Sequence, residues 1–348
     1  MKALIDKLEK NHILTREELV KLILHRDQDL DQYLFDKADA VRRRIYGNDI
    51  YVRGLIELSN YCKNDCYYCG IRKNNKNAAR YRLTREQVLE CCKTGYELGF
   101  RTFVLQGGED PYFTDERLCE MISAIKRGYP DCALTLSIGE KNYASYLAYF
   151  NAGADRYLLR HETADEAHYK KLHPASMVLS TRRQCLYDLK KIGFQVGCGF
   201  MVGSPYQTPE HLAADLLFIK EFDPEMVGIG PFIPHHDTPF AREPAGTLEM
   251  TIFMLGLVRL LVPHVLLPAT TALGTIDPQG RELGILAGAN VIMPNLSPRE
   301  VRNKYLLYDN KLCSGDEAAE GLENLRKSIK KIGYRVIVDR GDYKYNTK

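Results

Sequence analysis

The chain has 348 residues, 45% hydrophobic and 27% charged, and 48 Lys+Arg against 45 Asp+Glu give a net charge of +3. That balance offers no electrostatic case for nucleic acid or an anionic membrane, and no apolar run is long enough to span a bilayer. The opening MKALIDKLEKNHIL is too charged for a secretory signal, so ten cysteines point to a reducing cytoplasm rather than to disulfides.

The first 45 residues read as helices, with Thr15 to Glu18 (TREE) fitting a capping box, and are expected to form a helical extension over 1–45. From residue 50 short apolar runs alternate with helix-periodic segments. The strand candidates are 51–59, 102–106, 133–137, 156–160, 195–201, 226–230, 265–269 and 290–294. Among the helices, TREQVLECCKTGYELG opens on Thr84 and Gln87 and stops at Gly99. TPEHLAADLLFIKEF has Thr208 as N-cap and Pro209 in the first turn.

Eight βα units in a row predict an α/β fold, a complete (β/α)8 TIM-type barrel over 46–310, with a doubly wound open sheet as the alternative. The proline in the seventh run makes it the weakest strand. A C-terminal extension over 311–348 is expected as a helical tail packed on the barrel.

Polar and glycine-rich segments follow the apolar runs: a cysteine triad, then GGED, SIGE, RHETA, MVGSP, PFIPHHDTP, TTALG and NLSP. Residues at strand C-termini are where barrels of this type place their chemistry.

The triad is Cys62, Cys66 and Cys69 in SNYCKNDCYYCGIRKNN, a C-x3-C-x2-C pattern. A structural zinc site wants four ligands, so three cysteines would need a distant histidine. A redox pair would use Cys66 and Cys69 and leave Cys62 idle. An iron–sulfur cube suits the pattern better: three thiolates hold three irons and leave the fourth for a non-protein ligand. Cys91, Cys92, Cys119, Cys132, Cys185 and Cys198 sit in helix- or strand-like runs, where cysteine acts as a small apolar residue.

This spacing resembles that of the radical S-adenosylmethionine (SAM) superfamily. Within it, NYCKNDCYYCGIRKNNKNAARYRLT, LQGGEDPYF, AGADRYLLRHETA, VGIGPFIPHHDTP, PATTALGT and GANVIMPN resemble the HydE family of [FeFe]-hydrogenase maturases. The similarity covers roughly residues 40 to 310. Biotin synthase and methylornithine synthase are relatives with the same architecture.

The resemblance implies one [4Fe–4S] cluster on Cys62, Cys66 and Cys69, with SAM chelated to the open iron and cleaved to a 5′-deoxyadenosyl radical. It implies attack on sulfur of a cysteine-bound Fe(CO)2(CN) precursor during assembly of the two-iron subcluster. The implied partners are a HydG-type maturase upstream, a HydF-type scaffold downstream and a low-potential electron donor.

For SAM the resemblance implies Tyr68, Gly107, Gly108, Glu109, Ser137, Arg160, Glu162, Arg182 and Gly230. Arg160 and Glu162 alternate along a strand end, so both can face the barrel mouth. For the substrate cavity it implies Arg53, Met226, Thr270, Thr271, Met293, Tyr305 and Tyr308, with Gly197, Gly199, Gly228, Gly230, Ala269 and Ala272 leaving space.

Plain alternatives stand beside these. Arg160 and Glu162 suit a surface ion pair, the methionines suit core, the two tyrosines suit packing on a helix face, and Thr270 or Thr271 suits a helix cap. His235 and His236 suit acid–base work or a solvated loop. Some relatives hold a second cluster on three cysteines near the C-terminus; Cys313 stands alone there, so that cluster is expected to be absent.

Overall fold

In a computed structural model the described residues are 1–313 and 318–345. Three helices, Lys2–Asn11, Arg16–Leu24 and Gln28–Tyr46, open the chain. The Thr15 capping box forms as expected, with Thr15 N–H bonded to Glu18 and Glu18 N–H to Thr15. This layer covers the helix Leu248–Leu261, whose residues Thr251 to Leu261 are all buried. A helix apolar on every side must be covered on every side. Leu34 closes on Gly256, where a Cβ would stand 2.9 Å from Leu34 Cγ.

The strands are β1 (Asp49–Val52), β2 (Gly54–Ser59), β3 (Thr102–Gly107), β4 (Ala133–Ser137), β5 (Arg156–Leu158) and β6 (Gln195–Cys198). They continue with β7 (Met201–Val202), β8 (Met226–Val227), β9 (Gly230–Pro231), β10 (Val291–Ile292) and β11 (Arg335–Ile337). Parallel pairing runs β2-β3-β4-β5-β6-β8. Met226 then bridges Leu266, Pro268 bridges Val291, β10 pairs with β1, and Leu55 bridges Asn295. The circuit therefore returns to its first strand. The expected seventh strand joins it only through the two bridges at Leu266 and Pro268, as its proline suggested.

Two apolar runs break near their C-terminal ends. Residues 195–202 form β6 and β7, and 226–231 form β8 and β9, with β7 and β9 pairing as a separate ribbon. The helices between strands keep their expected caps: Thr84 and Gln87 bond reciprocally, and Thr208 N–H donates to His211 Nδ1 at 3.1 Å.

The C-terminal tail is helical only in part. After the helix Leu322–Lys331, β11 pairs in parallel with β1 on the flank opposite β10. Residues 340–345 then close the N-terminal end of the barrel. There Arg156, fully buried, donates to Gln195, Thr102 Oγ1, the carbonyl of Arg340 and Asp342 at 2.5 to 3.2 Å. No helix among the described residues is long and apolar enough to cross a membrane.

Candidate active site

The cysteine loop leaves the C-terminal end of β2 and is held by its polar residues. Asp65 accepts from Arg72 at 2.5 and 2.7 Å and from the Asn74 backbone at 3.1 Å. Arg80 donates to the carbonyls of Asn60, Ile71, Arg72 and Asn75. Asp65 and Arg80 thus form a polar scaffold that fixes the loop carrying the thiols.

Cys62, Cys66 and Cys69 are half-buried and free. Burial pushes all three thiols up, Cys69 to about 12, with Cys62 nearby adding to the shift. An inorganic core bound by all three would supply the charge that deprotonates the thiols.

Beside this loop stands the turn after β3. A Cβ on Gly108 would fall 2.2 Å from Tyr61 O and 2.8 Å from Cys62 Cβ, so the turn can lie against the loop only as glycine. The Glu109 backbone N–H approaches Cys62 Sγ at 3.4 Å. Its side chain crosses Gly139, at φ 79°, to accept from the Glu140 N–H, and Lys63 lies 3.1 Å from its other oxygen. Asp110 is a latch: it accepts from Ser59, Arg82 and the Tyr112 N–H. A cleft of about 280 Å³ lined by Lys63, Asn64, Glu109, Glu140, Met177 and Thr181 opens here, and Met177 Sδ lies 3.7 Å from Cys66 Sγ.

Arg160 and Glu162 both reach the mouth, in ionic contact at 2.9 Å. The contact is not aligned as a hydrogen bond, and Arg160 Nε and Nη2 and Glu162 Oε2 are left unsatisfied. Arg182 touches Glu140 at 2.7 Å with its Nε likewise unsatisfied. Glu162 holds a left-handed φ of 66°, uncommon for a residue with a side chain. Buried cations and carboxylates left half-paired at a barrel mouth have the chemistry to take a zwitterionic nucleoside. Tyr68 bonds His173 Nε2 at 3.1 Å beneath the loop. Ser137 ends β4 beside Gln106, and Gly230 lies against Thr270, on the cavity side of the mouth.

Deeper in the barrel, Arg53 is buried with Nε and Nη2 unpartnered, while Nη1 donates to Met226 Sδ at 3.0 Å from across the ring. Burial and the neighbouring Arg156 push this guanidinium well below its ordinary range. Thr270 sits at the N-cap of the helix Thr271–Ile276 without a side-chain cap bond, and its hydroxyl is unsatisfied. Thr271 begins that helix. Met293 packs with Met226, Tyr46 and Leu266. Tyr305 is buried and accepts from Gln106, and Tyr308 is half-buried; neither lies on a helix, because the helix Arg299–Arg302 ends before them. The small residues divide. A Cβ on Gly197 would stand 2.6 Å from Leu158, and one on Gly199 2.0 Å from Gly228 O, so both permit close packing. At Gly228 a Cβ would meet Leu158 at 3.8 Å, an ordinary contact, so glycine is not required there by packing.

His235, His236 and Asp309 bring three possible ligand atoms within 4.8 Å. Their protons are already committed: His235 Nδ1 accepts the Asp237 N–H, and His236 Nδ1 donates to Asp309 at 2.6 Å. With Nδ1 so used, neutral His235 carries its proton on Nε2 and has no lone pair for an ion. The set is a latch between two loops. Cys313 is half-buried, and residues 314–317 after it lie outside the described residues.

Two buried groups escaped the sequence reading. Glu57, in the middle of β2, accepts from Lys311 at 2.7 Å and Asn295 at 2.9 Å. His161 bonds Asp215 at 3.2 Å, both fully buried. The available signals were one acid in the apolar run LIELS and one in LAADLLFI.

Comparison with known proteins agrees with this geometry. The Radical SAM superfamily profile matches residues 56–219. The [FeFe] hydrogenase maturase subunit HydE of Thermotoga maritima is 43% identical over 343 residues, covering 99% of this chain and 97% of that protein. The 3-methylornithine synthase of Methanosarcina barkeri is 31% identical over 90% of this chain and 89% of its own. The crystal structure of methylornithine synthase (PylB) superposes with a TM-score of 0.81 at 25% identity, covering 96% of this chain and 97% of that one. A [4Fe–4S] cluster and SAM are the cofactors of the superfamily, and three loop thiols beside half-paired charges fit both. With identity sustained from the helical N-terminus to the tail, the chain belongs to the HydE family of radical SAM enzymes.

Proposed function

We propose that this protein acts in the reducing cytoplasm as a maturase for the active-site cluster of [FeFe]-hydrogenase. The observation that carries the reading is 43% identity to a HydE over 99% of the chain. When bound, the cluster on Cys62, Cys66 and Cys69 and its SAM supply a 5′-deoxyadenosyl radical. Arg160 meets the SAM carboxylate, and Glu162 meets the ribose diol or the ammonium. Gly107, Gly108 and Glu109 bring backbone close to the ligand, while Tyr68, Ser137 and Arg182 hold the surrounding wall.

The substrate is a cysteine-bound Fe(CO)2(CN) complex, attacked at sulfur, delivered by a HydG-type maturase and passed toward a HydF-type scaffold. A low-potential donor would supply the electron that a cluster held by Cys62, Cys66 and Cys69 needs. Arg53, buried with two unpartnered nitrogens, supports this reading, because a buried unpaired cation is costly unless an anion comes to meet it. Thr270 and Thr271 add hydroxyls above it, and Met226, Met293, Tyr305 and Tyr308 complete the lining. One cluster per chain is expected, without a second near Cys313.

The test is complementation of a hydrogenase-maturation strain lacking its own HydE, beside the Cys66→Ala control. Hydrogenase activity from the unaltered protein alone supports the reading. Failure of soluble, cluster-loaded protein, or turnover of lysine, would favour an amino-acid-modifying enzyme; the likeness to methylornithine synthase gives that second reading its footing.

A further inference from the structure

Period-two alternation turns Arg160 and Glu162 toward the mouth and His161 away from it, into the layer between strands and helices. His161 is fully buried, edge-on to Phe218 at 4.7 Å, and both ring nitrogens are used. Nδ1 accepts the Gly199 N–H at 3.3 Å, so Nε2 carries the proton and donates it to Asp215 Oδ1 at 3.2 Å. The same Asp215 oxygen accepts the Ala164 N–H at 2.5 Å. Asp215 comes from the helix Pro209–Phe222, and no cation lies in hydrogen-bond reach of it among the described residues.

These bonds converge on Glu162, whose backbone is left-handed. Glu162 donates its N–H to Gly199 O at 3.0 Å, and its carbonyl accepts from Met201 at 3.4 Å. Gly199 is thus held from both sides: its carbonyl takes Glu162, and its N–H goes to His161. The segment after Glu162 is pinned at Ala164. A left-handed non-glycine residue persists only where its surroundings over-determine it, and a fully buried acid without a cation is kept at a cost.

We infer that His161 and Asp215 are positioning residues that hold Glu162 in its left-handed turn and so aim its carboxylate at SAM. The inference rests on the proposed placement of SAM at Glu162. It requires that His161 act only through Glu162, which makes the two substitutions non-additive.

SAM affinity is read from the change in the electron paramagnetic resonance signal of the reduced cluster on SAM addition, with iron and sulfide content measured beside it. His161→Phe keeps an aromatic ring but cannot bond Gly199 or Asp215; it should weaken SAM binding about tenfold at unchanged iron content, the scale of a lost buried hydrogen bond. Asp215→Asn, which keeps an acceptor for both N–H groups, should stay within about twofold, and Asp215→Leu should match His161→Phe. Glu162→Ala with His161→Phe should bind SAM no worse than Glu162→Ala alone.

Additive losses in the double variant would overturn the inference, as would unchanged affinity in His161→Phe. Should His161→Phe fail to load iron, the Asp215 pair decides: equal affinity for Asn and Leu overturns the inference. An Asn that binds like the unaltered protein beside a weakened Leu supports it. If Glu162→Ala itself binds SAM normally, the placement of SAM is what has failed.

Discussion

The two ends of the barrel treat buried charge in opposite ways. At the N-terminal end, Arg156 is enclosed and satisfied by Gln195, Thr102, the Arg340 carbonyl and Asp342. At the mouth, Arg160, Glu162 and Arg182 touch opposite charges yet keep unsatisfied atoms, and Arg53 between the ends hydrogen-bonds, among the described residues, a thioether alone. Charge at the closed end is spent on the fold, whereas charge at the mouth and in the interior keeps unused hydrogen-bonding capacity, as the proposed binding roles require. What separates them is hydrogen-bond completeness, because Arg53 and Arg182 are buried as Arg156 is yet keep unsatisfied nitrogens.

Breaking that contrast should give effects of decreasing size. Cys66→Ala removes one of three thiols and should abolish a full iron load after anaerobic reconstitution, measured as iron and sulfide per chain; full loading would remove the cluster from this loop. Arg160→Ala and Glu162→Ala should each weaken SAM binding by about tenfold or more, since a charge-assisted contact in a partly dry site is lost. Their melting temperatures should barely move, because these groups are incompletely paired in the fold.

At the closed end the pattern reverses. Asp342→Ala leaves Arg156 without its counter-ion and should cost about 2 kcal/mol, reduced from larger buried-pair values because Asp342 is 43% exposed. The readout is denaturant unfolding, with SAM affinity unchanged. A variant that loses SAM binding but not stability would erase the distinction between the ends. Arg53→Met sharpens it further: replacing an unpartnered buried cation by an apolar side chain should leave stability equal or raise it by about 1 kcal/mol, while maturase activity falls.

The smallest effect concerns the latch. The hydrogen bond from His236 to Asp309 raises the pKa of that imidazole above its ordinary value. A raised folded pKa stabilises the latch fully at low pH, and the contribution fades as pH rises through it. Protection of amides 233–240, corrected for the intrinsic pH dependence of exchange, should therefore be lower at pH 8 than at pH 6. The change should be small, since His236 is largely exposed.

Much was fixed locally and could be read without coordinates. Alternating apolar runs and capped helices depend on residues within a few positions of one another, so the eight-unit barrel and the capping boxes at Thr15 and Thr84 were legible. So was the cysteine triad, whose meaning lies in its spacing. The strand breaks at Arg53 and Gly199, the reduction of the seventh run to two bridges and the β11 addition were not, because each depends on which distant strand lies alongside. His161 with Asp215, and Glu57 with Lys311, lie 54 and 254 residues apart and meet only when the barrel closes. By itself the sequence determined the spacing of the cysteine triad and the polar segments that follow successive apolar runs. Only the tertiary structure decided which charges are satisfied, because a hydrogen bond is counted in space and most of these partners are far apart along the chain.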